Sequence, residues 1–408
     1  MKIIVIGDTH LGYDFGGPRG EDSFLALEEA IERAQDADLI LMLGDVFDNR
    51  IPKPEIFARA ARILGKAQNF GPSKAKLISL DKKDEKEISP TALKGIPIVA
   101  ISGTHDRRSR HLVNPVQALE HAGLLINLHC ATAVFEINGE KVAIHGLSGV
   151  PERYAKDVLQ SWNPVPAKDA KNIFLMHQSI EPYIYSPLEP PSLKLEDLPI
   201  GMNLYLLGHM HWRDQKNFRG AQLILTGSTI FTSIHKTEAE QQRKGFWISD
   251  GNLADFVPLK NTRKVLWHEM YYTENTKAEI ESALFSLPQQ DGGLLPIINI
   301  KVKGKLPAGV SQPNFSDLEE KYASKGIIRI NKNIEAEDFQ EQIELLHALR
   351  EARLSPEEQG LKLLAENLKQ ANCGLRAEEI FDLLVDGNSD LIFNLLSGKQ
   401  KTLGGAGN

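Results

Sequence analysis

Short apolar runs of strand length alternate with helical spacings through the first 260 residues. Lys2–Gly7, Asp38–Gly44, Ile96–Ser102, Ile173–His177, Leu204–Gly208 and Leu223–Gly227 are β-branched or leucine-rich runs that close on glycine or a polar residue, and they predict strands. Asp22–Gln35, Pro54–Ala67 and Pro115–Ala122 carry apolar residues at helical spacing and predict helices. Asn138-Gly139 and Asp250-Gly251 tolerate positive φ and predict hairpins closed by tight primed turns. Early βα alternation followed by antiparallel strand implies two packed sheets with helices outside, an α/β architecture. Residues 72–95, with the run Asp81-Lys-Lys-Asp-Glu-Lys-Glu87, are charged and pattern-poor and predict a solvated loop.

Residues 262–333 predict a small βαβαβ unit: strand Lys264–Tyr272, helix Thr276–Leu287, strand Pro296–Val302, helix Ser316–Ser324 and strand Ile327–Ile330. Residues 334–398 predict helices alone. Ser355-Pro-Glu-Glu358 is a capping box with proline at the first helical position, and further helices follow at Ala377–Val385 and Ser389–Leu396. The glycine-rich stretch 399–408 predicts a frayed tail.

Composition narrows the class. With 42% hydrophobic and 25% charged residues in 408, the chain has the mix of a globular protein of two or three domains, which excludes disordered and collagen-like readings. No apolar run approaches the roughly 18 residues of a membrane span, and Gly7-Asp8 ends the first apolar run without a signal-peptide cleavage site. Two widely separated cysteines, Cys130 and Cys373, exclude a disulfide framework or a thiolate zinc site, so a cytoplasmic location is expected. The net charge of −7 is concentrated: residues 334–400 hold 14 acidic against 6 basic residues. That acidic segment favours a protein partner over a phosphate backbone.

The chemistry sits at strand ends. Asp8-Thr-His10, Gly44-Asp45, Gly103-Thr-His-Asp106, His177 and Gly208-His-Met-His211 place carboxylates and imidazoles where open α/β sheets build their sites. Carboxylate and neutral imidazole without thiolate suit Mn²⁺, Fe²⁺ or Zn²⁺. In Asp-x-His and His-x-His, residues two apart on an extended segment point the same way. His111, His121, His129, His145, His235, His268 and His347 read as ordinary surface or core residues. No Walker-type phosphate loop, dinucleotide-binding turn or serine nucleophile elbow is present.

Asp-x-His, Gly-Asp, Gly-x-His-Asp, a lone His and Gly-His-x-His together resemble the signature of calcineurin-like metallophosphoesterases. The resemblance narrows to the DNA-repair nuclease branch, the SbcD-type and meiotic-recombination-eleven-type subunits, through Gly44-Asp-Val-Phe-Asp48, His105-Asp-Arg-Arg-Ser-Arg110, Thr226-Gly-Ser-Thr229, Lys244-Gly-Phe-Trp-Ile-Ser and Val257-Pro-Leu. It implies an α/β/β/α metallophosphoesterase sandwich over 1–260, a βαβαβ capping domain over 262–333 and a helical partner-binding segment over 334–398. It further implies that Asp8, His10, Asp45 and His211 hold one divalent ion, expected to be Mn²⁺, and that Asp45, His177 and His209 hold a second. His105 would act on the scissile phosphate and Asp106 would orient it. The family usually places Asn where this chain has Thr104, a shorter and poorer oxygen ligand for the second ion.

Arg107, Arg108 and Arg110 beside His105, with Arg213 beside His211, are placed to grip a DNA backbone. The resemblance implies a homodimer, with Ile56, Ala60, Leu64, Val116 and Leu119 near its interface. It also implies an SMC-like ATPase gripped by the carboxyl-terminal helices, whose apolar positions include Ile343, Leu346, Leu349, Leu361, Leu364 and Leu368. The expected function is a two-metal DNA nuclease of double-strand-break repair, cytoplasmic and nucleoid-associated, with no membrane role. Its rivals are a phosphatase or cyclic-nucleotide phosphodiesterase on the same metal site, and a weakly active DNA-binding scaffold.

Overall fold

In the computed structural model, residues 1–109, 111–184, 193–232, 234–288, 293–306 and 313–336 are described, together with 360–361, 364–365, 368 and 376–385. Two sheets stack face to face. The first has six strands: β1 (Ile3–Ile6), β2 (Leu39–Leu43), β4 (Ile98–Ile101), β5 (Ile126–Asn127), β12 (Gly245–Ser249) and β13 (Ala254–Pro258), in the order β13-β12-β1-β2-β4-β5. The second has seven: β3 (Ala75–Asp81), β6 (Ala131–Ile137), β7 (Glu140–Leu147), β8 (Lys171–His177), β9 (Leu204–Gly208), β10 (Arg213–Phe218) and β11 (Ala221–Thr226), in the order β10-β11-β9-β8-β7-β6-β3. β1, β2, β4 and β5 run parallel, as do β7, β8, β9 and β11.

Strand periodicity divides the apolar side chains into three layers. In β1, Ile3 and Val5 face the second sheet, and with Leu39, Leu41 and Val99 they meet Phe135, Ile144, Leu175 and Leu206. Ile4 and Ile6 face the other way, onto helices α1 (Asp22–Glu32), α2 (Pro54–Leu64) and α3 (Pro115–His121). The outer face of the second sheet, through Phe174, Tyr205 and Leu207, is covered by α4 (Ala155–Trp162). Covering on both faces explains why these strands read as unbroken apolar runs. The order of layers is α/β/β/α, as expected. α2 begins with Pro54 at its first position, and α3 is capped reciprocally by Asn114 and Gln117.

Three expectations need correction, and one, the tight Asn138-Gly139 turn, is met. Residues 72–95 are not simply a loop, because they supply β3, which pairs antiparallel with β6. A register shift between Leu77 and Ser79 breaks the alternation that marks a strand in sequence. The Asn138-Gly139 hairpin is a two-residue turn with φ of 53° and 84°. The Asp250-Gly251 hairpin is longer, with the Asp250 carboxylate accepting from Asn252 N at 2.8 Å and Leu253 N at 2.9 Å. Finally, Ile56, Ala60, Leu64, Val116 and Leu119 are all buried within the chain's own core, so they are not available to a dimer interface.

A third sheet has three strands, β14 (Val265–Tyr271), β15 (Ile297–Leu306) and β16 (Ile327–Ala336) in that order, with α5 (Lys236–Glu240) before it and α6 (Thr276–Ser286) and α7 (Ser316–Lys321) between its strands. The chain divides into two compact units. One comprises Met1–Glu269, Lys277–Lys301 and Phe315–Asn331; the other comprises Met270–Thr276, Val302–Asn314 and the chain from Lys332 onward. Within the second, Leu361, Leu364 and Leu368 pack with Ala377, Ile380 and Leu383. Ile343, Leu346, Leu349, the Ser355–Glu358 capping box, Ser389–Leu396 and the 399–408 tail lie outside the described residues. No helix among the described residues is long and apolar enough to cross a membrane.

Candidate metal centre

One rim of the sandwich collects the polar strand ends. Asp8 and His10 follow β1, Asp45 follows β2, Thr104, His105 and Asp106 follow β4, His177 closes β8, and His209 and His211 follow β9. The loops after β1 and β2 are clipped together, since Thr9 N and His10 N both donate to the Asp45 carbonyl, at 3.1 and 2.9 Å. His10, Asp45 and His209 adopt φ of 44°, 42° and 82°, a left-handed conformation that costs a non-glycine residue about 1–3 kcal/mol. Two glycines permit the close approach. A Cβ on Gly103 would lie 2.1 Å from Asp45 N, and one on Gly208 would lie 2.4 Å from the Leu43 carbonyl oxygen.

Three groups of ligand atoms result among the described residues, one of them His10, Asp48 and His105. Asp8, His10, Asp45 and His211 each bring one atom within 4.8 Å of the others, and Asp45, His177 and His209 do the same. Asp45 belongs to both. His10 Nε2 and His211 Nε2 face each other at 3.0 Å. Two imidazole nitrogens bound about 2.1 Å from one ion, at an angle near 90°, stand about 3.0 Å apart. His177 donates from Nδ1 to the Leu43 carbonyl at 2.7 Å, which leaves Nε2 as the lone-pair nitrogen. That buried atom lies 3.2 Å from Asp45 Oδ2 without an aligned hydrogen bond. His211 Nδ1 meets the Thr232 hydroxyl at 2.7 Å, which holds its ring with Nε2 inward. Asp8 accepts from His209 N through both oxygens. The donor set, the nitrogen pair and the unpaired His177 nitrogen together fit a divalent cation.

Without a cation these charges conflict. Burial lifts the Asp8 carboxyl to about 7, against the attraction of His177. Asp45 is also opposed by burial, yet the imidazoles of His177, His10 and His105 hold it well below the usual carboxylate range. Burial works against a charged His177, but Asp45 and Asp8 outweigh it and lift the ring to about 10. Burial and the neighbouring positive ring push His209 down to about 3, and burial, His10 and Lys244 push His211 down as well. A cation resolves the conflict, because every ligand imidazole must then be neutral and both carboxylates ionised.

His105 stands at the surface of this cluster. Its backbone N–H donates to Asp45 Oδ1 at 2.7 Å and its Nδ1 to the Asp48 carbonyl at 2.7 Å. Asp106 is a correction. Its buried carboxylate accepts from Val46 N at 3.1 Å, Phe47 N at 2.9 Å and Gly103 N at 2.9 Å, so it fixes two loops and does not hold the His105 ring. Asp48 went unassigned in the sequence, yet its carbonyl orients His105 and its Oδ1 lies 3.4 Å from His10 Nδ1. The spacing Gly-Asp-x-x-Asp was the available signal. Thr104 directs its hydroxyl to Asp45, 3.4 and 3.3 Å from the two oxygens.

The arginines separate. Arg107 is exposed and lines a cavity beside Thr104 and His209. Arg108 donates to the Val113 carbonyl at 3.2 Å. Arg213 is committed elsewhere, with Nη1 2.7 Å from the Arg243 carbonyl oxygen and its guanidinium 4.1 Å over the Phe256 ring, so it does not serve a phosphate. Arg110 lies outside the described residues.

Comparison with known proteins agrees with this chemistry. The calcineurin-like phosphoesterase family profile matches residues 1–213. A DNA double-strand break repair protein Mre11 from Sulfolobus acidocaldarius is 25% identical over 321 residues, 75% of this chain and 76% of that protein. The protein of the same name from Sulfurisphaera tokodaii is 24% identical over 331 residues, covering 78% and 77%. That of Methanopyrus kandleri is 26% identical over 295 residues, and there the match spans 65% of this chain and 58% of the relative.

Proposed function

Since the chain belongs to the calcineurin-like phosphoesterase family, we propose that it is a metal-dependent DNA nuclease of the double-strand-break repair type, hydrolysing phosphodiester bonds at a two-ion centre. The observation that carries the reading is the pair of ligand groups sharing Asp45. The similar proteins from Sulfolobus and Sulfurisphaera, which bear a double-strand-break repair name and match over three quarters of their length, favour DNA over a small phosphodiester.

Divalent ions, expected to be Mn²⁺, would supply Lewis acidity and would lower the pKa of water so that hydroxide is available as the nucleophile. The chain would hold them through Asp8, His10, Asp45 and His211 on one side and Asp45, His177 and His209 on the other. Thr104 steadies Asp45 through its hydroxyl, where the family's asparagine would act as a ligand. His105, oriented through Nδ1 by the Asp48 carbonyl, presents Nε2 to protonate the departing oxygen or to stabilise charge on the phosphate. Asp106 positions Asp45 and His105 through the backbone of residues 46, 47 and 103. Arg107 contributes positive charge beside the centre. The segment that follows β16 is the one expected to engage an SMC-like ATPase, and homodimerisation belongs to the same reading.

The test is cleavage of labelled duplex and single-stranded DNA with Mn²⁺, run beside bis(p-nitrophenyl) phosphate and beside His105→Ala. DNA cleavage lost in His105→Ala at unchanged Mn²⁺ content supports the reading. Hydrolysis of the small diester with DNA left intact refutes it and favours a phosphatase or cyclic-nucleotide phosphodiesterase. Thr104→Asn should raise Mn²⁺ occupancy; unaltered occupancy and rate would remove position 104 from the argument.

A further inference from the structure

Tyr13, in the turn that follows His10, joins two arms of the chain behind the metal centre. Its backbone N–H donates to the His10 carbonyl at 3.0 Å. Its hydroxyl donates to the Thr232 carbonyl at 3.1 Å. With His211 Nε2 turned inward, the His211 Nδ1 proton goes to the Thr232 hydroxyl, 2.7 Å away. His10 and His211 are ligands of the same ion, and their Nε2 atoms face each other at 3.0 Å. A single residue thus reaches both imidazoles from behind.

The Tyr13 hydroxyl is itself pinned. Its oxygen accepts from Arg329 Nη2 at 3.1 Å and from Arg19 Nη1 at 3.4 Å. Arg329 lies on β16, and its Nη1 gives the Thr232 carbonyl a second donor at 3.4 Å. Arg19 is buried and also donates to the Phe231 carbonyl, next to Thr232. It shares the buried Asp22 carboxylate with Arg263: Arg19 Nε donates to Oδ2 at 3.0 Å, and Arg263 Nε lies 2.9 Å from both oxygens. Arg263 closes the circuit on the Pro18 carbonyl at 3.0 Å and on the Leu295 carbonyl, just ahead of β15, at 2.8 Å. All of these residues belong to one compact unit. Such a network holds one arrangement, because displacing any member leaves a buried donor or acceptor unpaired. None of these bonds touches His177, whose Nδ1 is held by the Leu43 carbonyl.

We propose that Tyr13 and Arg329 are positioning residues for one ion of the two. They hold residues 231–232 and the turn after His10 so that His10 and His211 converge, and they leave the ion of His177 and His209 untouched. The proposal rests on the two-ion reading above and adds a device that sets the two affinities separately. Neither side chain is a ligand; the pair acts by pre-organisation. Without the Tyr13 hydroxyl or the Arg329 fork, the Thr232 segment gains other positions. The apparent affinity for the first ion then falls with the fraction of chains that keep the binding geometry.

The test is titration calorimetry of the full chain with Mn²⁺ in two backgrounds. His209→Ala keeps the ion of His10 and His211, and His10→Ala keeps the ion of His177 and His209. Tyr13→Phe retains the ring, and Arg329→Met retains an unbranched stem. Each should weaken Mn²⁺ binding about fivefold in the His209→Ala background and by less than about twofold in the His10→Ala background. Thr232→Val, which removes the direct partner of His211, should weaken the first ion about 10–100-fold. Equal weakening in the two backgrounds, or none in either, would overturn the positioning role. So would a lower Tm with unaltered Mn²⁺ affinity, which would reduce the network to a brace for the fold. A wild type that binds fewer than two ions would instead overturn the two-ion reading itself.

Discussion

Asp106 offers the sharpest test of how the centre is held together. Its carboxylate, with no exposed surface, takes two backbone N–H donors on Oδ2 and one on Oδ1, from Val46, Gly103 and Phe47. In Asp106→Asn the amide oxygen can replace Oδ2 and keep two of these bonds, but the amide nitrogen then faces the Phe47 N–H. One hydrogen bond to a charged acceptor is lost, worth about 1.5–3 kcal/mol. Asp106→Ala strands three buried donors at about 1–3 kcal/mol each, so about 3–9 kcal/mol is expected. At about 2–4 °C for each kcal/mol, the Tm should fall about 3–12 °C for Asn and at least about 6 °C for Ala. Differential scanning calorimetry in EDTA measures this, and titration calorimetry with Mn²⁺ should show weakened binding, because Asp45 and Gly103 shift together. Wild-type Tm and Mn²⁺ affinity in Asp106→Asn, combined with a large loss of kcat alone, would refute the loop-fixing role and restore a direct partnership with His105.

Other outcomes follow from the same geometry. His145 is buried between the Thr132 hydroxyl at 2.9 Å and Asn172 Oδ1 at 3.0 Å, and burial depresses its pKa below 6.5. The unfolded chain therefore binds the extra proton first, so this contribution is present above pH 6.5 and is lost as pH falls below it; His145→Gln should flatten the pH dependence of Tm between pH 7 and 5. Lys244 and Glu238 form a buried ion pair, and Lys244 Nζ also donates to the His211 carbonyl at 2.8 Å. Lys244→Met should destabilise by about 3–5 kcal/mol in urea unfolding, and Glu238→Gln added to it should return part of the loss. Mn²⁺ at about 100 times its dissociation constant should stabilise the folded chain by about 2.7 kcal/mol per site; His10→Ala and His209→Ala should each remove one of two ions in elemental analysis, and Asp45→Ala both.

The sequence revealed positions better than directions. Asp8, His10, Asp45, His105, His177, His209 and His211 were visible because each ends an apolar run, and parallel strands carry such ends to one rim. Arg213 looked like a phosphate ligand because it follows His211, but β10 turns it toward Phe256 and the 241–243 backbone. Asp106 looked like a partner of its neighbour His105, whereas its acceptor capacity is taken by N–H groups up to 60 residues away. Backbone donors have no sequence signature, and neither does the carbonyl of Asp48. β3 was hidden by its irregular register. The apolar faces of α2 and α3 were legible as faces, but spacing does not say whether a face meets its own sheet or a second chain.

The four margins of the two stacked sheets share one trait. β3 is interrupted at Leu77/Ser79 and carries Lys76, β10 reads Arg-Asp-Gln-Lys-Asn-Phe, β5 is two residues long, and β13 ends in Pro258. A bulge, a charged ribbon, a stub and a missing N–H each deny a neighbouring chain a ladder to extend. Thirteen strands in two open sheets would otherwise be a standing aggregation hazard wherever many copies crowd together. Association of this protein is thereby channelled away from backbone pairing and onto side-chain surfaces, where a single substitution can switch it on or off.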